Sequence, residues 1–106
     1  MSLSTHVLDI AAGTPAEGVG VVLEQRTGDG WARIADGRTD ADGRIARLAG
    51  STPTGTYRLR FDVEGYAGPD CFYPEVVVTF RVTGPERHRH VPLLLSPYAY
   101  STYLGS

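Results

Sequence analysis

Thirteen glycines and seven prolines are spread through a chain of 106 residues, and they decide most of what it can fold into. They cut it into runs of roughly five to nine residues, long enough for short strands and too short for most helices. In TYRLRFDV, Tyr57, Leu59, Phe61 and Val63 fall on one side, and Arg58, Arg60 and Asp62 on the other. That period of two belongs to a half-buried strand. EVVVTFRV repeats it with Val76, Val78 and Phe80. VGVVLEQR and HRHVPLLL are more continuously apolar, which predicts strands covered on both faces.

Turn chemistry separates the runs: AAGTPAEG after the first, TGDG before Trp31, DADG before Arg44 and GSTPTG before Tyr57. Eight short strands are expected, near residues 4–9, 19–26, 31–36, 43–48, 56–63, 75–82, 88–95 and 98–104. Strands of this length and spacing predict an all-β, antiparallel sandwich of two sheets. In EGYAGPDC, two glycines and a proline limit any helix to one or two turns. Apolar residues at 42% and charged residues at 21% are those of a soluble chain with one core, so residues 1–106 are read as a single domain.

Ten arginines against twelve carboxylates give a formal charge of -2, a balance that argues against nucleic acid or an anionic membrane as partner. The one cysteine, Cys71, has no internal disulfide partner. MSLSTHVLDI lacks a basic stretch followed by an apolar core, and no run approaches the roughly 20 apolar residues of a membrane helix. A cytoplasmic location is expected.

Histidine can move protons both ways near neutral pH, because its unperturbed pKa is about 6.5. His6 lies mid-strand in STHVLD, and His88 and His90, two apart, share one face of their expected strand. Taken singly, each reads as an exposed or hydrogen-bonded structural residue. Together they also have the spacing of a zinc site, with His-x-His as two ligands and His6 as a third, although no further Cys or carboxylate stands at ligand spacing. A Ser-His-Asp triad is weaker still, since no Gly-x-Ser-x-Gly elbow is present. Arg44, just after the DADG turn, is either a solvated strand end or, if it faces the histidines, a fixed charge for an anionic substrate or an oxyanion.

The chain closes on HRHVPLLLSPYAYSTYLGS, with no polar trailer. Tyr98, Tyr100 and Tyr103 are residues of a packing or interface strand. A short aromatic strand with little charge at a sheet edge invites a second copy, so a homo-oligomer is expected.

Four stretches in order, STHVLD, TDADGRI, FYPEVVVTF and HRHVPLLLSPYAYSTY, cover essentially the whole chain. On them the chain resembles the transthyretin-like proteins, and among these the 5-hydroxyisourate hydrolases of purine catabolism. The resemblance implies a two-sheet, eight-strand sandwich assembled as a homotetramer, a dimer of dimers with active sites in the channel between dimers. It also implies hydrolytic opening of the N1–C6 cyclic amide of 5-hydroxyisourate to 2-oxo-4-hydroxy-4-carboxy-5-ureidoimidazoline, with no cofactor and no metal. His6 and His90 match the histidines that distinguish these hydrolases from hormone-carrying transthyretins, Arg44 matches the family arginine, and Ser106 matches the terminal serine. By that likeness His6, Arg44, His90 and Ser106 are catalytic, and Arg44, Tyr103, Leu104 and Ser106 bind the purine-derived substrate. His88 is the weaker candidate, in a supporting place.

Two departures stand out. Where the family ends Tyr-Arg-Gly-Ser, this chain reads Tyr103-Leu104-Gly105-Ser106, losing a positive charge and five donors. The stretch between Phe61 and Pro74 is shorter than the family norm, which puts the family's short helix there in doubt and leaves room for at most one. Leu104 leaves two alternatives to the hydrolase: a related enzyme on another cyclic amide or imide, and a non-enzymatic ligand-binding homologue.

Overall fold

A computed structural model describes residues 2–84 and 87–105. Its elements are β1 (Leu3–Asp9), β2 (Thr14–Pro15), β3 (Gly20–Thr27), β4 (Gly30–Arg38), β5 (Arg44–Ala49), β6 (Gly55–Asp62), α1 (Val63–Ala67), β7 (Glu75–Val82), β8 (Arg89–His90), β9 (Leu93–Ser96) and β10 (Ala99–Thr102). One sheet runs β4-β3-β6-β7, and the other β10-β9-β1-β2, with β5 and β8 also paired to β1. The alternation read from the sequence is what closes them face to face. Tyr57, Leu59, Phe61, Val76, Val21 and Leu23 from the first sheet bury against Leu3, Val7, Leu48 and Leu93 from the second.

Three local expectations change. The strand foreseen over 88–95 is broken into β8 and β9, because Pro92 has no N–H to give to a ladder. Both pieces run parallel to β1, Ser4 opposite His90 and Val7 opposite Leu93, within a sheet expected to be antiparallel. The break leaves nothing unsatisfied at Val91: its N–H bonds Ser4 O at 3.0 Å, and its carbonyl accepts the Thr5 hydroxyl at 2.7 Å.

Nor is β3 covered on both faces. Val21 and Leu23 are buried while Val22 and Glu24 are half-buried on the outer side. There the Glu24 carboxylate accepts from Arg58 at 2.6 Å, and Arg60 joins Glu75 at 2.9 Å. The Arg58 hydrogen bond is the first reason the Glu24 carboxyl is held below its usual range. Arg58 also lies 4.2 Å over the Trp31 ring, which gives this arginine face its second partner.

Lastly, the helix set in doubt by its short segment is present as α1. Its N-cap is Asp62, whose carboxylate accepts from Gly65 N–H at 3.0 Å. Tyr66 then ties α1 to β1 by donating to Asp9 at 2.7 Å, and burial together with that bond pushes the phenol up to about 12.

Strands β7 and β10 each lie at an edge of their sheet. All four residues of β10 are exposed, as are Tyr98 and Tyr103.

Candidate active site

One turn and one strand set the geometry. In the DADG turn the Asp40 side chain accepts from Asp42 N–H and Arg44 N–H, both at 2.9 Å, a local closure that asparagine and aspartate favour. Gly43 completes it at φ +75°, and its carbonyl accepts from Val7 N–H at 2.7 Å. A β-carbon there would stand 2.4 Å from Val7 O, so the turn rides against β1 only because that residue is glycine. The turn thereby launches β5 beside β1, with Arg44 directly opposite His6.

Along β1, Leu3, Thr5 and Val7 go to the core, so Ser4 and His6 take the outer face. The other neighbour of β1 is β8, which sets His90 opposite Ser4. Arg44 and His6 thus meet on one flank of β1, and His90 and Ser4 on the other. Between them opens a cleft of about 290 Å³ lined by Ser4, Arg44, His88 and His90.

Each ring is fixed by a bond. His6 Nε2 lies 2.9 Å from Asp42 O, which can only accept, so Nε2 carries the proton and Nδ1 is the basic nitrogen of the neutral ring. His90 Nδ1 lies 2.7 Å from Ser4 Oγ, and the same hydroxyl lies 2.9 Å from His88 Nε2. Ser2 Oγ in turn bonds His88 Nδ1. His90 is half-buried, and its pKa is lowered first by that burial, then by the positive charge of Arg44 and by His6 and His88.

The chain end reaches this place as well. Gly105 N–H donates to His90 O at 2.7 Å, and a β-carbon on Gly105 would come within 2.7 Å of His90 Cδ2. Glycine is the residue that lets the tail lie flat on the histidine ring.

Of the residues singled out from sequence, Arg44 and His90 line the cleft, and His6 stands at its border. Leu104 lies elsewhere, in an adjoining depression of about 350 Å³ with Arg87, His88, Arg89 and Gly105. Tyr103 lines neither hollow, and both side chains are well exposed, at 57% and 64%. Ser106 lies outside the described residues. The zinc reading finds no support in the geometry: among the described residues no three His, Cys, Asp or Glu side chains are grouped to hold a metal ion.

Sequence reasoning passed over Ser4, Gly105 and Arg89. Ser4 could have been found, since it stands two before His6 and so shares its face. Arg89 could not: only the fold shows it 6% exposed, its guanidinium donating to Thr83 O and Arg87 O at 2.9 Å each. Those bonds brace the loop that carries His88.

A second, mainly apolar cleft of about 340 Å³ lies between α1 and the β9–β10 turn, walled by Val63, Cys71, Phe72 and Tyr98. It contains no histidine or arginine.

Fold and cleft together define a two-sheet β-sandwich with a histidine–arginine site on the outer face of one sheet. The chain belongs to the HIUase/Transthyretin family, whose model matches residues 3–105. It is 47% identical to a 5-hydroxyisourate hydrolase of Salmonella typhimurium, over 98% of this chain and 80% of that protein. It is 45% identical to one from Caulobacter vibrioides, over 98% and 97%. Among solved structures it resembles a Klebsiella pneumoniae 5-hydroxyisourate hydrolase, with TM-score 0.86, 36% identity and 100% of both chains covered. It equally resembles sea bream transthyretin in complex with thyroxine, with TM-score 0.90, 38% identity and 99% and 95% covered.

Proposed function

We propose that this chain hydrolyses 5-hydroxyisourate in the Ser4–Arg44–His90 cleft. Fold does not separate enzyme from carrier, since solved structures of both kinds superpose on it closely. The observation that carries the reading is the convergence of Arg44 and His90, with His6 beside them, in a chain whose curated relatives are named as this hydrolase.

The chemistry follows from the protonation states. With Nδ1 bonded to Ser4, His90 has Nε2 left for the reaction. Its lowered pKa keeps the ring neutral at neutral pH, and in the tautomer with the proton on Nδ1 the bare Nε2 takes a proton from water as the oxygen attacks C6 of the ring amide. Arg44, a fixed positive charge, offsets the negative charge growing on the carbonyl oxygen. As the C6–N1 bond breaks, the proton held by histidine passes to the departing nitrogen and gives 2-oxo-4-hydroxy-4-carboxy-5-ureidoimidazoline. His6, with Nε2–H committed to Asp42 and Nδ1 basic, orients the water. The exposed edge β10, with Tyr100 on it and Tyr98 and Tyr103 beside it, supports a tetramer of this chain with the cleft in its channel, and the cytoplasm is the location we propose for it.

The pH dependence has a definite sign. A base with a lowered pKa stays competent below the ordinary histidine value and is lost only as pH falls through the lowered one. The acid limb of kcat/KM is therefore expected below about 6.5. In Arg44→Gln, which removes the positive neighbour, the limb moves up while kcat falls. A limb that stays put in that variant, measured across pH 5 to 8, contradicts the assignment of His90 as base.

Leu104 motivates the rival substrate, another cyclic amide or imide, and that rival predicts a marked gain in hydroxyisourate turnover for Leu104→Arg. Because Leu104 is 64% exposed and outside the cleft, we expect the gain to stay below about fivefold, the range of an exposed charge. Urate and urate oxidase generate the substrate in place, and its ultraviolet decay with and without the protein tests the assignment.

A further inference from the structure

The bonds from Ser2 through His88 and Ser4 to His90 form one unbroken chain, and the hydrolase mechanism uses only its last member. We propose that this chain is a proton wire: it switches His90 between its two neutral tautomers and connects the cleft to bulk water, with His88 and Ser4 as relay and positioning residues. The proposal rests on the hydrolase reading for its role and on hydrogen-bond stoichiometry for its existence.

A serine hydroxyl has one proton, yet Ser4 Oγ is within bonding distance of two ring nitrogens, His90 Nδ1 and His88 Nε2. It can donate to only one of them, so the other must donate to it. Two arrangements satisfy every partner. In the first, His88 Nε2–H donates to Ser4, Ser4 donates to His90 Nδ1, and His90 carries its proton on Nε2, where it can serve as an acid. In the second, His90 Nδ1–H donates to Ser4, Ser4 donates to His88 Nε2, and His90 Nε2 is a bare base. His88 exchanges tautomers in step, accepting from Ser2 at Nδ1 in the first arrangement and donating to it in the second.

Proton transfer along the wire balances. When His90 Nε2 takes a proton from the attacking water, its Nδ1 proton moves to Ser4 Oγ as the Ser4 proton moves to His88 Nε2. The His88 Nδ1 proton then moves to Ser2 Oγ, and the Ser2 proton is released to bulk water. His90 is left uncharged with its proton on Nε2, ready to protonate the leaving nitrogen, and the reverse hop resets it. The outlet fits the burial: Ser4 is 6% exposed while His88 is exposed to solvent. The charged and titratable groups facing His90 are Arg44 from β5, His6 from β1 and His88 from the approach to β8, and the fixed positive charge of Arg44 favours shedding the proton over storing it.

Two measurements test the wire, and the first needs no activity. Nitrogen-15 shifts of the imidazole rings report the tautomer populations of His88 and His90 in the full chain. In Ser4→Ala both rings are expected to change, and in His88→Gln, an exposed position that does not threaten folding, the His90 populations are expected to shift. His88 populations unmoved by Ser4→Ala, or His90 populations unmoved by His88→Gln, overturn the proposal. The second measurement is kinetic. At low buffer concentration His88→Gln is expected to lose about tenfold in kcat with KM within twofold, and added imidazole to restore it saturably. A kcat within twofold of the parent, or a loss that imidazole leaves untouched, also overturns it. A parent chain with no hydroxyisourate activity overturns the hydrolase reading alone, and the ring tautomers then still decide the wire.

Discussion

His90→Asn is expected to lower kcat for 5-hydroxyisourate by about 10²- to 10⁴-fold, the usual worth of a positioned acid–base group, with KM changed little. The asparagine amide keeps a polar atom near Nδ1 to meet Ser4, and it leaves Gly105 free to lie against β8, so the fold is undisturbed. What disappears is Nε2, the nitrogen that exchanges protons with water and leaving group. Arg44 remains to bind the anion, which is why the loss falls on kcat. Steady-state rates with the substrate generated in place read both parameters. A variant with parental kcat would show that His90 is not the acid–base group.

Gly43→Ala is expected to destabilise the chain by about 3 kcal/mol or more. A left-handed backbone costs an alanine about 1 to 2 kcal/mol. The new β-carbon would also lie 2.4 Å from Val7 O and 3.0 Å from Pro15 Cβ, against backbone and packed side chain that cannot swing away. Overpacking of that kind costs about 1 to 3 kcal/mol more. Because the same turn sets Arg44 opposite His6 and supplies the carbonyl that fixes the His6 tautomer, whatever folds should also be poorly active. Urea titration gives the stability, and a midpoint unchanged from the parent would show that the turn does not bear on β1 as described.

The strands and the buried faces were legible because alternation is a local property: Tyr57, Leu59, Phe61 and Val63 mark the core face of β6 and its exit with nothing else known. The break at Pro92 was visible in the letters too, and it was overridden by the apolar run around it. The parallel pairing of β8 and β9 with β1 was not legible, since it joins residues more than eighty positions apart and depends on which edge β1 leaves free. The site divides in the same way. His6, Arg44 and His90 stand out as residue types and match a family's pattern. That Ser4 links two histidines follows from the register between β1 and β8, and that Leu104 faces a different hollow from His90 follows from the path of the tail beyond β10. Neither has a signature in spacing along the chain.

The central claim is that the cleft on the outer face of β1 opens the hydroxyisourate ring. The direct measurement follows the ultraviolet decay of 5-hydroxyisourate formed from urate by urate oxidase, with the parent protein and with His90→Asn side by side. The account predicts decay far faster than the spontaneous reaction with the parent and near the spontaneous rate with the variant. Decay at the spontaneous rate with both, or equal acceleration by both, would contradict it.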